Sequence, residues 1–542
     1  MTDISRRSLL GGVAAAALLP TLAPGVAQAQ NLAQAQNQAA PAPRVAPQPA
    51  FSYDDIVRRA REIGASPYDG TVAPLPEQLS RLDWDQWMQI RFRPDRSMLG
   101  ASGGRFRLQL FHLGHLFQKP VTINTIRDGI PTPVPYTAAL FDYGSVRFEK
   151  QLPVNMGFAG FRVHFPLNDP RGSDELLSFV GSSYFRWLGR NQKYGLSARG
   201  LALNTGLLDN KEEFPFFREF WIDTPAAGVD SITIYALLDS PSVSGAYKFV
   251  FHPGEESPVD VEATLFPRLP LPLLGMAPLT SMFFLGENDR HLNAPNKYDE
   301  FRPELHDSDG LLIQTDANEF IWRPLRNPLI QEVHNYPANN MKGFGLIQRD
   351  RKFEHYQDIE LAYEQRPSYW VEPKGDWGEG RIELIELATK DETFDNTIVA
   401  FIPNKVIEPG KPFTFAYRIR SLTDGGNLHK LGRTINTFTA PAYALGSGEE
   451  RRKGTRRFMI DFADGEMAYY LKEPNLVQMD TQVTGGKFIR QFLVPNPAIQ
   501  GFRLMVDVEL HPDDHTRITS RLRSQGKPIT ETWNWSWKVY NL

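Results

Sequence analysis

The 542-residue sequence contains no cysteine, which excludes disulfides, thiolate metal sites and a cysteine nucleophile. A chain without thiols also cannot mispair in an oxidising compartment. Charge of one sign is scarce as well: the formal net charge is -4 and no concentrated Lys/Arg stretch occurs, so no nucleic-acid partner is expected. There is no Walker-type phosphate loop, no dinucleotide glycine pattern after a strand, and no Gly-x-Ser-x-Gly elbow between a strand and a helix. Long helical patterns and short repeats of propeller or solenoid type are missing. The apolar run Val13 to Leu19 falls well short of the ~20 residues a spanning helix needs, so stable membrane insertion is not expected.

What the N-terminus does contain is an export signal. Ser5-Arg6-Arg7-Ser8-Leu9-Leu10 precedes the apolar run, and small residues follow to Ala27-Gln28-Ala29, which predicts a cleaved signal over 1–29. Paired Arg6 and Arg7 before two leucines have the twin-arginine form. The expected export partner is therefore the twin-arginine translocase and the expected compartment the periplasm; the plainer alternative is a general secretory signal with two basic residues. Residues 30–50, almost entirely Ala, Gln and Pro, cannot bury enough apolar surface to offset ordering and are expected to be a flexible leader.

From Phe51 onward the chain is too long for one core of usual size, so two domains are expected. A helix is predicted over Tyr53 to Ile63, with Asp54 and Asp55 in its first turn and Ile56, Ala60 and Ile63 at helical spacing. Elsewhere the period is two: Arg105 to Leu110, Ser231 to Ile234 and Arg503 to Leu510 alternate polar and apolar, as strands with one buried face do. The 42 Gly and 42 Pro recur between such runs as turns require. The predicted class is all-β, built of sandwiches. Ser421 to Asn427 is polar and glycine-containing, which places a linker at 423–431 between an N-terminal sandwich at 51–422 and an immunoglobulin-sized sandwich at 432–542.

Few residues offer chemistry outright. His112 and His115 suggest zinc, but two histidines on a strand-like segment need not face the same way. Asp307-Ser308-Asp309-Gly310 opens like a calcium loop, yet the further ligands at their required spacing are absent. No metal and no cofactor is expected. Paired carboxylates remain: glycosidic cleavage needs one carboxylic acid to protonate the leaving oxygen and one carboxylate to act on water or sugar. The 12% aromatic content favours carbohydrate modestly, since rings stack on sugar C–H faces. Among 63 acidic residues, composition does not choose the pair.

Several segments resemble the periplasmic glucans biosynthesis protein G and D family. They include Ser183-Tyr184-Phe185-Arg186, Tyr194-Gly195-Leu196-Ser197-Ala198-Arg199-Gly200, Ala277-Pro278-Leu279-Thr280-Ser281-Met282-Phe283, Arg302-Pro303-Glu304-Leu305-His306-Asp307-Ser308, Arg366-Pro367-Ser368 and Gly375-Asp376-Trp377-Gly378. The likeness extends from about Phe51 to Thr530-Glu531-Thr532-Trp533, and the twin-arginine signal and Gly-Asp-Trp-Gly form look more like the D branch. It implies a large galactose-mutarotase-like β-sandwich followed by a smaller immunoglobulin-like one, acting on the β-1,2-glucan backbone of osmoregulated periplasmic glucans. Members include inverting β-1,2-glucanases. Carried over by position, the resemblance implies Asp395 as general acid and Asp307 as base, the latter acting on water through a substrate hydroxyl and ordered water. Glu392 is expected to support the acid through its charge, and Tyr363 to hydrogen-bond substrate or water. Trp370, Trp377, Arg366 and Arg199 are the expected sugar-binding residues.

Three readings stay open at this point: an endo-β-1,2-glucanase, a branching or cyclising β-1,2-glucan transglycosylase whose outcome loops such as Tyr443 to Thr455 decide, and a glucan-binding protein that cleaves nothing. A homodimer is compatible with the sequence but does not follow from it.

Overall fold

The computed structural model describes residues 50–100, 103–207, 212–289, 300–442, 454–511 and 515–537. The signal, all but the last residue of the leader, and most of the Tyr443 to Thr455 loop lie outside them.

The predicted helix spans Tyr53–Gly64, and its start is held by the Asp55 carboxylate, which accepts the Ser52 N–H at 2.8 Å. Ile56 and Ala60 face inward against Trp221, Leu237, Ala246 and Phe266, the stripe that helical spacing dictates. Almost everything else is strand, in two large sheets and several small ones. Strand Val259–Pro267 shows how the sheets arise: Val259, Val261, Ala263 and Leu265 are buried while Asp260 and Glu262 point out, and Arg418 on the neighbouring strand grips Asp260 at 2.7 and 2.8 Å. Between the sheets lies a phenylalanine-rich core in which Phe179 has Phe161, Phe185, Phe220 and Phe249 within 5.0–5.5 Å or so of ring-centre separation, at 5.2, 5.4, 5.3 and 5.2 Å. The class is all-β, as the period-two pattern predicts.

After Leu422 the chain leaves strand Phe413–Leu422 and enters a four-stranded sheet of Arg433–Pro441, Thr455–Ala463, Gly501–Leu510 and Gly486–Asn496. Its inner face packs Phe458, Ile460, Leu504 and Val506 against Trp533, Trp535 and Trp537. Asp507 breaks the expected one-sided burial of Arg503 to Leu510: it is buried because Arg457 and Arg490 both hold its carboxylate at 2.7 Å. Strand Thr532–Trp537 also pairs in parallel with Phe320–Pro324, and the buried Glu531 accepts from Arg349 at 2.6 and 3.0 Å. The C-terminal strands are thereby joined to the segment that carries the candidate site.

Candidate active site

Asp307 sits between the short strand Leu305–His306 and strand Gly310–Gln314, its N–H donating to the Met282 carbonyl at 2.8 Å. Its buried carboxylate is met by the Arg366 guanidinium. Arg366 follows a 3-10 turn at Tyr363–Gln365 and reaches Asp307 across Gly195. A Cβ at Gly195 would lie 2.8 Å from the Arg366 side chain, so only glycine leaves that passage free. The guanidinium also lies 3.7 Å from the centre of the Tyr363 ring.

Asp395 is set on the loop between strands Glu379–Glu386 and Thr397–Pro403. The adjacent Asn396 staples that loop: its side chain accepts the Phe283 N–H at 2.8 Å and donates to the carbonyls of Phe283 at 2.9 Å and Leu387 at 3.0 Å. Burial raises the Asp395 carboxyl above the ordinary aspartate range; Arg186 and Arg199 pull it down, while the charge of Asp307 and the loss of water push it up, and the upward influences win. The two aspartates are therefore within electrostatic reach of one another.

Glu392 stands three residues from Asp395, but its charge is otherwise engaged. Arg302 holds it with a two-pronged contact of 2.9 and 3.1 Å, and Tyr363 donates its hydroxyl to it at 2.5 Å. The same guanidinium binds Glu300 and Asp358. The carboxylate that raises Asp395 by charge is Asp307, so Glu392 acts here as an anchor for the loop that carries Asp395. Burial raises the Tyr363 hydroxyl pKa, which keeps it a donor.

Arg199 lies on the opposite wall, on strand Ser197–Arg199. It pairs with Glu212 at 2.7 Å and covers the rings of Tyr184 and Phe214 at 4.8 and 5.4 Å. Register explains the grouping. Tyr184 is opposite Arg199 across adjacent strands, Ser197 is opposite Thr280, and Arg186 donates to Ser197 at 2.6 Å. Cross-strand partners share a face, so Tyr184, Arg186, Arg199 and Thr280 form one wall beside Asp395. Arg186, Thr280, Tyr184 and Arg302 carry no assignment in the sequence reading, although the segments that resemble the family contain all four.

The two tryptophans belong elsewhere. Trp370 is 1% exposed and packs with Leu312, Trp322 and Ile347 in the core; a ring covered on both faces offers no platform to sugar, which corrects the expectation drawn from sequence. Trp377 lies in the turn after strand Ser368–Lys374, its Nε1–H donating to the Ala416 carbonyl at 3.0 Å and its ring 5.3 Å from that of Phe401. Phe401 is six positions beyond Asp395 along a strand, roughly 20 Å at the strand rise. Trp377 thus closes the far end of the sandwich and is not brought to the aspartates.

Among the described residues, two sets bring His and carboxylate ligand atoms within 4.8 Å of one another: Glu304, Asp350 and His355, and Glu332, His334 and Glu386. In the second, Arg323 and Arg326 already neutralise the carboxylates. In the first, His355 is bonded to Asp350, and Glu304 faces His306 at 3.2 Å. His112 is buried against Tyr136 at 2.9 Å while His115 turns to the Leu82 carbonyl at 3.1 Å, so these two histidines do not converge. No described helix is long and apolar enough to cross a membrane.

A sequence model described as "Periplasmic glucan biosynthesis protein, MdoG" matches residues 51–537. Glucans biosynthesis protein G of Ralstonia nicotianae is 41% identical over 488 residues, covering 90% of this chain and 96% of that protein. Probable glucans biosynthesis protein D of Shewanella oneidensis is 40% identical over 490 residues, with 90% and 88% covered. Glucans biosynthesis protein D of Xylella fastidiosa is 40% identical over 495 residues, with 90% of each chain covered.

Proposed function

The chain belongs to the periplasmic glucan biosynthesis protein family, and from that premise we propose that it is a periplasmic, inverting endo-β-1,2-glucanase with Asp395 as general acid and Asp307 as general base. The observation that carries this reading is the opposed environments of the two aspartates. Asp395 is pushed toward its protonated form by burial and by Asp307, whereas the Asp307 side chain is paired with the Arg366 guanidinium. A general acid has to keep its proton near neutral pH, which the surroundings of Asp395 favour.

In the proposed reaction the Asp395 carboxylic acid gives its proton to the glycosidic oxygen as the bond from that oxygen to the anomeric carbon breaks. Water attacks the same carbon from the opposite face and loses a proton toward Asp307, directly or through a sugar hydroxyl. The product end carries the inverted anomer, and return of the proton from Asp307 to Asp395 through solvent completes the cycle. Arg366 keeps Asp307 oriented. Arg302, through Glu392, holds the loop of the acid. Arg199 and Arg186 supply donors along the neighbouring wall.

The same reading includes twin-arginine export of 1–29 and a division into sandwiches at 51–422 and 432–542. The four-stranded sheet formed wholly by strands after Leu422 supports that division, while the apolar cluster around Trp535 also takes in Leu312, Trp322 and Trp370 and so forms the seam between the two parts.

The test is to incubate mature protein with linear β-1,2-glucan and follow product size together with the anomeric NMR signal of newly formed ends. Shorter chains with inverted ends are expected. Cyclic or branched products would replace hydrolysis by transfer, and binding without any new ends would leave a glucan-binding protein.

A further inference from the structure

We propose that a cavity of about 270 Å³, lined by Tyr68, Asp69, Lys119, Phe216 and Arg218, is a distal subsite that holds a neutral sugar unit of the same polymer, away from the bond being cut. The proposal rests on the reading of the substrate as a glucan.

Position is the first argument. Phe214 is 49% exposed and lies beneath Arg199, which is within electrostatic reach of Asp395. Two residues further on, Phe216 begins strand Phe216–Asp223 and forms part of the cavity. Two residues of extended chain span about 7 Å, so one short segment joins the wall beside the acid to this cavity.

Chemistry is the second argument. The charged residues of the cavity balance: Arg59 pairs with Glu219 at 2.7 Å and Arg218 with Asp239 at 2.7 Å, leaving one lysine and one aspartate. A balanced site does not favour phosphate or nucleic acid, which need a surplus of cations. It suits a neutral polyol, which takes donors and acceptors in equal measure. Lys119 has no carboxylate partner among the described residues; its ammonium lies 4.2 Å from the centre of the Phe216 ring and 3.4 Å from the Tyr68 hydroxyl, with donors to spare. Asp69 accepts the Thr71 N–H at 2.9 Å through one oxygen, and its other oxygen is an acceptor for sugar hydroxyls. Tyr68 supplies a half-buried ring for C–H stacking.

The third argument is preorganisation. The segment carrying Tyr68 has no regular secondary structure, yet it is tied down just before the cavity. Arg268 donates to the carbonyls of Ile63 at 2.7 Å and Ser66 at 3.0 Å, and to Ser240 at 2.7 Å. A loop fixed in this way loses less freedom on binding than a free one.

The experiment measures binding of linear β-1,2-glucans of increasing length by calorimetry, in an Asp395→Asn background carrying Tyr68→Ala or Lys119→Met. Catalytically intact versions of both variants are assayed for kcat/KM on long and short chains. Lys119→Met keeps the aliphatic cover over Phe216, so it guards against a folding artefact at Tyr68. The expected result is that affinity gained with chain length is reduced about tenfold, the worth of one charge-assisted hydrogen bond, and that the ratio of long-chain to short-chain kcat/KM falls with it. Equal losses at every length, or no loss, would overturn the subsite. Wild-type protein that binds β-1,2-glucan in a length-dependent, Lys119-sensitive way without cleaving it would sink the enzymatic reading and leave the subsite standing; protein that binds no glucan sinks both.

Discussion

Arg366 stacks its guanidinium 3.7 Å from the centre of the Tyr363 ring. Because Arg366 also holds Asp307 and Tyr363 also donates to Glu392 at 2.5 Å, this one contact couples the proposed base to the anchor of the loop that bears the proposed acid. Arginine suits the position because its planar cation can stack and form a directed ion pair at once, which a lysine ammonium cannot.

Arg366→Met should therefore leave the buried Asp307 carboxylate unpaired, at a cost of about 3–5 kcal/mol, read by denaturant unfolding. Adding Asp307→Asn to that variant should recover part of the loss, because the stranded charge is removed. Equal stability of the single and double variants would show that Asp307 is not what Arg366 compensates.

Asp395→Asn should lower turnover by about 10²–10⁴-fold, the usual contribution of a positioned general acid, while the unfolding midpoint stays close to that of the parent. Asp307→Asn is expected to be as severe. Full turnover by the Asp395 variant would remove the acid assignment.

The pH profile gives a sharper check. A general acid must be protonated, so activity should be lost as pH rises through the raised pKa of Asp395. Arg186 lowers that pKa; Arg186→Gln should then raise it and move the alkaline limb of the kcat profile to higher pH. A shift to lower pH would contradict the role given to Asp395.

Acid stability should depend on Glu531. Burial pushes its carboxyl up, but Arg349 and His429 outweigh burial and leave it at about 2, against an ordinary value of 4.5. A depressed carboxylate contributes stability above its unfolded pKa, and that contribution is lost as pH falls from about 4.5 toward 2. Melting temperatures of the parent should fall more steeply across that window than those of Glu531→Gln. Parallel curves would show that the Arg349 pair does not set the acid limit.

The two tryptophans should separate by phenotype. Trp370→Ala empties a filled core site and should cost about 3–5 kcal/mol, visible in thermal unfolding. Trp377→Ala should act on stability through the lost Phe401 contact, with kcat on short glucans following the parent. A collapse of kcat in a folded Trp377 variant would place that ring in the catalytic cleft.

Sequence by itself determined the class and the family. Alternation such as Val259, Val261, Ala263 and Leu265 against Asp260 and Glu262 is a local property of a strand, so period two can be read without knowing what the strand packs on; the helix at Tyr53–Gly64 was legible for the same reason. Motifs such as Arg302 to Ser308 and Tyr194 to Gly200 are contiguous, so the resemblance they carry is also legible.

Only the tertiary structure decided what each polar or aromatic side chain faces. Trp370 became core, Trp377 went to the far end of the sandwich, Arg366 turned to Asp307, and Glu392 was taken by Arg302. The partners concerned are 59 residues apart for Arg366 and Asp307 and 90 for Arg302 and Glu392. Contacts of that span are set by sheet register and by the closing of distant strands over a shared core, and neither a residue's type nor its neighbours in the chain encode them.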